Sequence, residues 1–178
     1  ENMSQYMKDA MVAIEDKDFY TEGAFNVRGI ARAAIHNVFN KGGGTQGGST
    51  ITQQLVKLNQ GWTNDRSYTR KVKELILAVE LEREYSKDDI LTGYLNVAPF
   101  GGSEYGVEAA SRDYFHTTAK KLTLAQAAFL AAIPKYPSAY SPYSDPRWNK
   151  AVSGSRFDEE GIINRQHRVL TVMAEQDM

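Results

Sequence analysis

The 178-residue sequence contains no cysteine. That excludes a disulfide framework and thiolate metal sites, and it suits an exported domain. Net charge is nearly absent too: 21 Lys and Arg against 22 Asp and Glu leave −1 with His neutral. No global basic field argues for nucleic acid, so any positive patch must be local. Long apolar runs are missing. The longest, 127–133, falls far short of the ~20 residues that a membrane helix needs. No signal-peptide pattern is visible, and the chain starts mid-pattern at Glu1, as expected of an excised piece. Runs of strand character long enough for a sheet are absent, as are internal repeats. His36, His116 and His167 share no local metal spacing and read as structural or surface residues.

What is present is ordinary globular composition, 42% hydrophobic and 24% charged. The fold class expected is mainly α. Met3, Tyr6, Met7, Ala10, Met11 and Ile14 recur at helical spacing and end at Glu15-Asp16. Asn26 is a candidate cap for a helix carrying Ile30, Ala34, Val38 and Phe39. Residues 41–48 (KGGGTQGG) read as a flexible loop, and a helix follows over about 49–59. Asp65 or Ser67 caps a long helix reaching about Tyr85, with Tyr68, Val72, Leu75, Ile76 and Val79 as its apolar side. Ser86 with Asp89 opens a helix ending near Asn96. Residues 97–104 are a loop and 105–115 a helix. Thr123 with Gln126 caps an alanine-rich helix closed by Pro134. Residues 134–157 connect it to a final amphipathic helix over 162–173.

Five stretches carry candidate chemistry. Glu15 and Asp16 sit at a helix C-terminus, where acids oppose the macrodipole and need another reason to be there. A carboxylate sheltered by its own core suits a general base. GGSTITQQL, 47–55, packs Ser49, Thr50, Thr52, Gln53 and Gln54 behind a glycine loop, with Lys57 on the next turn. Glycines allow close backbone approach, and a helix N-terminus presents N–H groups to an anion. It is not a Walker pattern. Arg66, Arg70, Lys73 and Glu74 fall on one helical stripe and could hold a diphosphate. Equally, Arg70–Glu74 is an ordinary i,i+4 pair. Tyr94 and Asn96 precede the 100–106 glycine loop, and 125–134 (AQAAFLAAIP) reads as a close-packing helix.

In this order the five stretches resemble the peptidoglycan glycosyltransferases, glycosyltransferase family 51, found in class A penicillin-binding proteins and in monofunctional transglycosylases. Glu-Asp-x-x-Phe is met by Glu15, Asp16 and Phe19. Gly-Gly-Ser-Thr-Ile-Thr-Gln-Gln is intact at 47–54. Arg-Lys-x-x-Glu is met by Arg70, Lys71 and Glu74, Ile-Leu-x-x-Tyr-Leu-Asn by 90–96, and the alanine-rich helix by 125–134. One position departs: where the family usually has His after the first motif, this chain has Glu22 before Gly23. A histidine role near the acceptor is therefore not carried over.

The resemblance implies a lysozyme-like helical head with a smaller, membrane-proximal jaw at roughly 24–65, together one glycosyltransferase domain over 1–178. It implies an inverting transfer of a polyprenyl-diphosphate-linked glycan onto the 4-hydroxyl of lipid II, giving a β-1,4 bond. Glu15 would be the base and Glu74 the second catalytic acid, orienting cations or diphosphate. Asp16, Ser49, Thr50, Gln53, Gln54, Lys57, Arg66, Arg70, Lys73, Tyr94 and Asn96 would form the binding set. No cofactor is required, with room for a divalent cation, Mg or Mn. The partners implied are lipid II, a membrane surface met by 30–39 with Arg32 and Lys41, and a downstream transpeptidase domain; no nucleic acid is implied. The place implied is the extracytoplasmic face of the plasma membrane, anchored by a helix outside these residues. A lysozyme-like hydrolase or lytic transglycosylase is the competing enzyme, and an inactive cell-wall-binding module the competing non-enzyme.

Overall fold

The computed structural model describes residues 3–24, 48–65, 67–147, 149–150 and 157–178. The expected helix at 26–39 with its membrane segment, nearly all of the 41–48 loop, and Arg66 lie outside the described residues. The architecture is mainly α. Among the described residues the α-helices are α1 Gln5–Glu15, α2 Ile51–Asn59, α3 Tyr68–Glu84, α4 Lys87–Val97, α5 Val107–Phe115, α6 Leu124–Ala132, α7 Pro137–Tyr140 and α8 Glu159–Glu175. Among the described residues no strand forms, and an isolated antiparallel bridge joins Pro99 and Tyr105. No described helix is long and apolar enough to cross a membrane.

The chain divides into two compact units, Glu1–Ile14 with Leu95–Met178, and Glu15–Tyr94. In the first, α6 packs on α8. Ala127, Ala128, Ala131 and Ala132 are buried, and small side chains let helix backbones approach closely. Ile162, Val169 and Met173 of α8 are buried, each contributing about 1.5–3 kcal/mol by leaving water. Arg165 Nε and Gln166 Nε2 of α8 donate to the carbonyls of Ala132 and Ala125. Thr123 and Gln126 form the expected capping box. The loop after α4 turns at Gly106 (φ 87°), where a side-chain Cβ would lie 2.5 Å from the Asn96 carbonyl oxygen. This close approach delays α5 to Val107, two residues after the predicted start.

In the second unit, Thr50 caps α2 by accepting from Gln53 N–H, and Ser67 caps α3 by accepting from Arg70 N–H. Asp65 in turn accepts from Ser67 N–H. Ala24, Val56 and Ala78 form a small core flanked by Trp62, Leu77 and Leu81. At Gly93 of α4 an added Cβ would sit 3.3 Å from Leu55 Cδ2, so α4 lies tight against α2.

The apolar side expected for α3 is corrected. Tyr68 is 93% exposed, Val72 56% and Ile76 55%, while Glu74 and Ala78 are buried. The reason is polar. α3 turns Glu74 inward because Arg70 and Lys71 neutralise it there, and Lys71 is itself held by α2 and the residue before its cap. Hydrophobic periodicity does not register a buried charge cluster of this kind.

Candidate active site

The polar run after the glycines is mostly buried rather than open. Thr50, Thr52 and Gln53 are each at most 3% exposed, and such groups are tolerated only when hydrogen-bonded. All three are. Thr50 Oγ1 donates to the Ala24 carbonyl (3.1 Å), as does Gln53 Nε2 (2.8 Å). Thr52 Oγ1 donates to Glu82 Oε1, which also accepts from Lys87 Nζ at 2.7 Å. The Lys87 ammonium stands 4.7 Å over the Phe19 ring. Thr52, Glu82, Lys87 and Phe19 thus tie the first motif to α2, α3 and α4. Ser49, Gln54 and Lys57 keep partial exposure.

Gln53 and Gln54 are successive residues about 100° apart on the helix, and they serve two different acids. Gln53 Oε1 accepts from Lys71 Nζ (2.8 Å), and Ser49 Oγ accepts from the same ammonium (3.0 Å). Lys71 also donates to Glu74 Oε1, and Arg70 Nη1 to Glu74 Oε2. Arg70 Nε is a buried donor with no acceptor among the described residues; an anion's oxygen would satisfy it. On the other side, Gln54 Nε2 donates to Glu15 Oε2 (3.2 Å), and Gln54 Oε1 accepts from the Tyr94 hydroxyl (3.1 Å).

Asp16 holds the start of α2. Its Oδ2 accepts from Ile51 N–H at 2.9 Å. Burial pushes the Asp16 carboxyl up to about 6, against the lowering effect of that bond; the negative charge of Glu22 adds to the rise. Glu22, at the position where the family usually has His, is half-buried.

The sign of the Asp16 effect is testable. Below about pH 4 the side chain is neutral in folded and unfolded chains alike. As pH rises toward 6 it ionises first when unfolded, so the stability that neutral Asp16 supplies is lost over that window. Asp16→Asn keeps an acceptor for Ile51 N–H and cannot ionise. Its stability relative to wild type should rise by about 2–3 kcal/mol between pH 4 and 6.5. Urea midpoints of both proteins across that range check this, and a constant difference would contradict it.

Of the sequence-predicted residues, the second unit brings together Glu15, Asp16, Ser49, Thr50, Gln53, Gln54, Arg70, Glu74 and Tyr94 by the bonds above. Lys57 is half-exposed, Lys73 is exposed, and Asn96 is exposed and belongs to the other unit. Sequence reasoning placed Lys71 in the Arg-Lys-x-x-Glu motif but gave it no role in the binding set. The signal was there: it lies three residues before Glu74, within helical reach. Glu82 and Lys87 carried no such local sign. A divalent metal does not fit at Glu74, because each carboxylate oxygen already faces a cation. Among the described residues no group of three metal-ligating side chains occurs elsewhere.

The profile of a family described as Transglycosylase matches residues 1–174. The chain belongs to that family. This transglycosylase domain is 47% identical over 166 residues to penicillin-binding protein 1F of Bacillus subtilis, covering 92% of this chain and 23% of that protein. It is 42% identical to penicillin-binding protein 1A of Mycobacterium tuberculosis over 86% of this chain and 20% of the relative. It is 43% identical to the monofunctional glycosyltransferase of Staphylococcus aureus over 79% of this chain and 54% of that protein. The chain therefore spans about a fifth of the first two relatives and about half of the third.

Proposed function

We propose that the domain polymerises lipid II, moving a glycan chain from a polyprenyl diphosphate onto the 4-hydroxyl of the acceptor sugar. Glu15 takes the proton from that hydroxyl as its oxygen bonds to the anomeric carbon. The bond to the α-linked diphosphate breaks from the opposite face, so the product is β-1,4. The departing diphosphate carries away the electron pair, and Lys71 and Arg70 stabilise its charge with Lys57 and Arg66. Glu74 holds the first two in place. Ser49 and Gln54 meet sugar or phosphate oxygens, and Thr50 and Gln53 brace them from below. The work is done at the outer face of the plasma membrane, where the lipid-linked substrate resides.

The observation that supports this reading is the division of labour on α2: Gln54 reaches a carboxylate, while Gln53 reaches a lysine of a cation–carboxylate cluster. A hydrolase acting on a neutral glycosidic bond has no leaving group that needs such cations; a diphosphate does. Lipid II incubated with the domain should yield polymer, and Lys71→Ala should lower the rate about 100-fold or more. Lys73→Ala, exposed on the same helix, should cost less than about fivefold. Fragments released from finished peptidoglycan without polymer would overturn the proposal, and equal losses for the two lysines would remove the anion-site argument.

A further inference from the structure

Lys87 is the first residue of α4. A cation there opposes the helix macrodipole, so α4 does not account for it. Nor does solvent. A lysine usually stretches its ammonium into water, yet the Lys87 side chain is only 23% exposed. Among the described residues its ammonium meets two groups, both within the second unit. Glu82 Oε1 of α3 accepts from it at 2.7 Å, and the Phe19 ring centroid lies 4.7 Å away. Phe19 is 1% exposed and belongs to the turn after α1, its N–H donating to the Asp16 carbonyl at 2.9 Å. Asp16 directly follows Glu15. Glu82 Oε1 also accepts from Thr52 Oγ1, two residues before Gln54, whose Nε2 reaches Glu15. One ammonium therefore joins the turn that follows Glu15 to the helix that carries Gln54. Tyr20 adds a tie beside it, donating to Asp88 Oδ1 at 3.0 Å.

We infer that Lys87 is a positioning residue for the reaction: its ammonium holds the turn beside Glu15 in register with α2. The inference rests on the assignment of Glu15 as the base. A general base acts only within hydrogen-bond reach of the proton it takes. Glu15 is the last residue of α1, so its carboxylate follows the turn at 16–19 as well as the helix. Displacing such a group by about 1 Å costs on the order of 100-fold in rate. The electron-rich face of Phe19 attracts a cation, and the Glu82 carboxylate fixes where that cation stands. The same charge is felt at the first motif: burial raises the Asp16 carboxyl, and Lys87 is among the groups that lower it. A lysine paired with a sheltered carboxylate also stabilises the fold, so the experiment must separate position from stability.

Lys87→Met keeps the length of the stem and leaves Glu82, 12% exposed, without its cation, so the melting temperature should fall. Adding Glu82→Gln removes that orphaned charge, and the amide oxygen still accepts from Thr52. The double variant should regain most of the lost stability. It does not regain the tie, because the methionine side chain bonds nothing at position 82. Steady-state polymerisation of lipid II is then measured where circular dichroism shows every variant folded. The double variant should have a kcat about tenfold below wild type, with KM changed less than about twofold. Lys87→Arg keeps the charge for both ring and carboxylate and should stay within about threefold of wild type. Wild-type kcat in the double variant overturns the inference, and so does a Lys87→Arg as slow as Lys87→Met. Should the double variant fail to fold, Phe19→Leu decides. It leaves the ion pair intact and should lower kcat about fivefold; unchanged kcat overturns the inference. The two assignments fail separately. An inactive Glu15→Gln with wild-type kcat in the double variant sinks only this inference, whereas an active Glu15→Gln sinks the base assignment beneath it.

Discussion

Glu15→Gln is expected to stop lipid II polymerisation while leaving substrate binding nearly intact. The substitution keeps the shape of the side chain and removes its ability to take a proton. General-base catalysis contributes about 10²–10⁴ in rate, so a loss in that range is the expected size. Binding draws on the cation cluster, which the change does not touch, and the new amide oxygen can still accept from Gln54 Nε2, so affinity should hold within about threefold. Stability should not fall. Glu15 is the last residue of α1 and half-exposed, and an acid there opposes the helix dipole by about 0.3–1 kcal/mol. Loss of rate together with unchanged or slightly raised stability is what a catalytic acid, rather than a structural one, produces. Initial rates, calorimetric binding of lipid II and urea melts of the two proteins give the three readings. Polymerisation within about tenfold of wild type would refute the base assignment.

Glu74→Gln is expected to damage both stability and activity. Glu74 is 1% exposed, and its two oxygens receive Arg70 and Lys71. A buried ion cluster contributes little beyond a hydrophobic equivalent, but removing one member leaves charges uncompensated at about 3–5 kcal/mol. Arg70 and Lys71 keep some exposure and can turn partly to water, so about 2–3 kcal/mol is the expected loss. That corresponds to a melting temperature lower by roughly 4–12 °C in a chain of this size. Released from Glu74, Lys71 loses the geometry that also binds Ser49 and Gln53, and polymerisation should fall by about 100-fold. A variant as stable as wild type would mean that the two cations are not anchored through Glu74. A destabilised variant with normal polymerisation would separate the cluster from the chemistry.

The two variants probe parts of the site that differ in how far the sequence exposed them. Glu15, Asp16, the intact run at 47–54 and the Arg70–Glu74 stretch were legible because each is a short ordered motif whose members are adjacent or one helical turn apart. The family match over 1–174 agrees with the family they pointed to. The helices were legible for a similar reason. Caps at Ser67 and Thr123 and apolar spacing at 3 and 4 are local signals, and these elements form where expected. The face of α3 was not legible. Counting apolar residues put Val72 and Ile76 inward, because a periodicity argument assigns charged residues to water. The structure buries Glu74 instead, and the cations that make this possible are on the same helix, with one of them bonded across to Gln53 and Ser49.

Apolar spacing and caps determined that the chain is mainly helical, the lack of cysteine that it has no disulfides, and its ordered motifs determined the family and the candidate base. Which residues of the polar run hold the scaffold and which remain accessible was decided only in three dimensions. Thr50 and Gln53 turn to the Ala24 carbonyl, Thr52 to Glu82, and Gln54 to Glu15 and Tyr94. The physical reason is that a buried polar atom must find a partner, and these partners lie up to 40 residues away in the chain. Local sequence specifies that a hydroxyl or an amide is present; only packing specifies what it bonds.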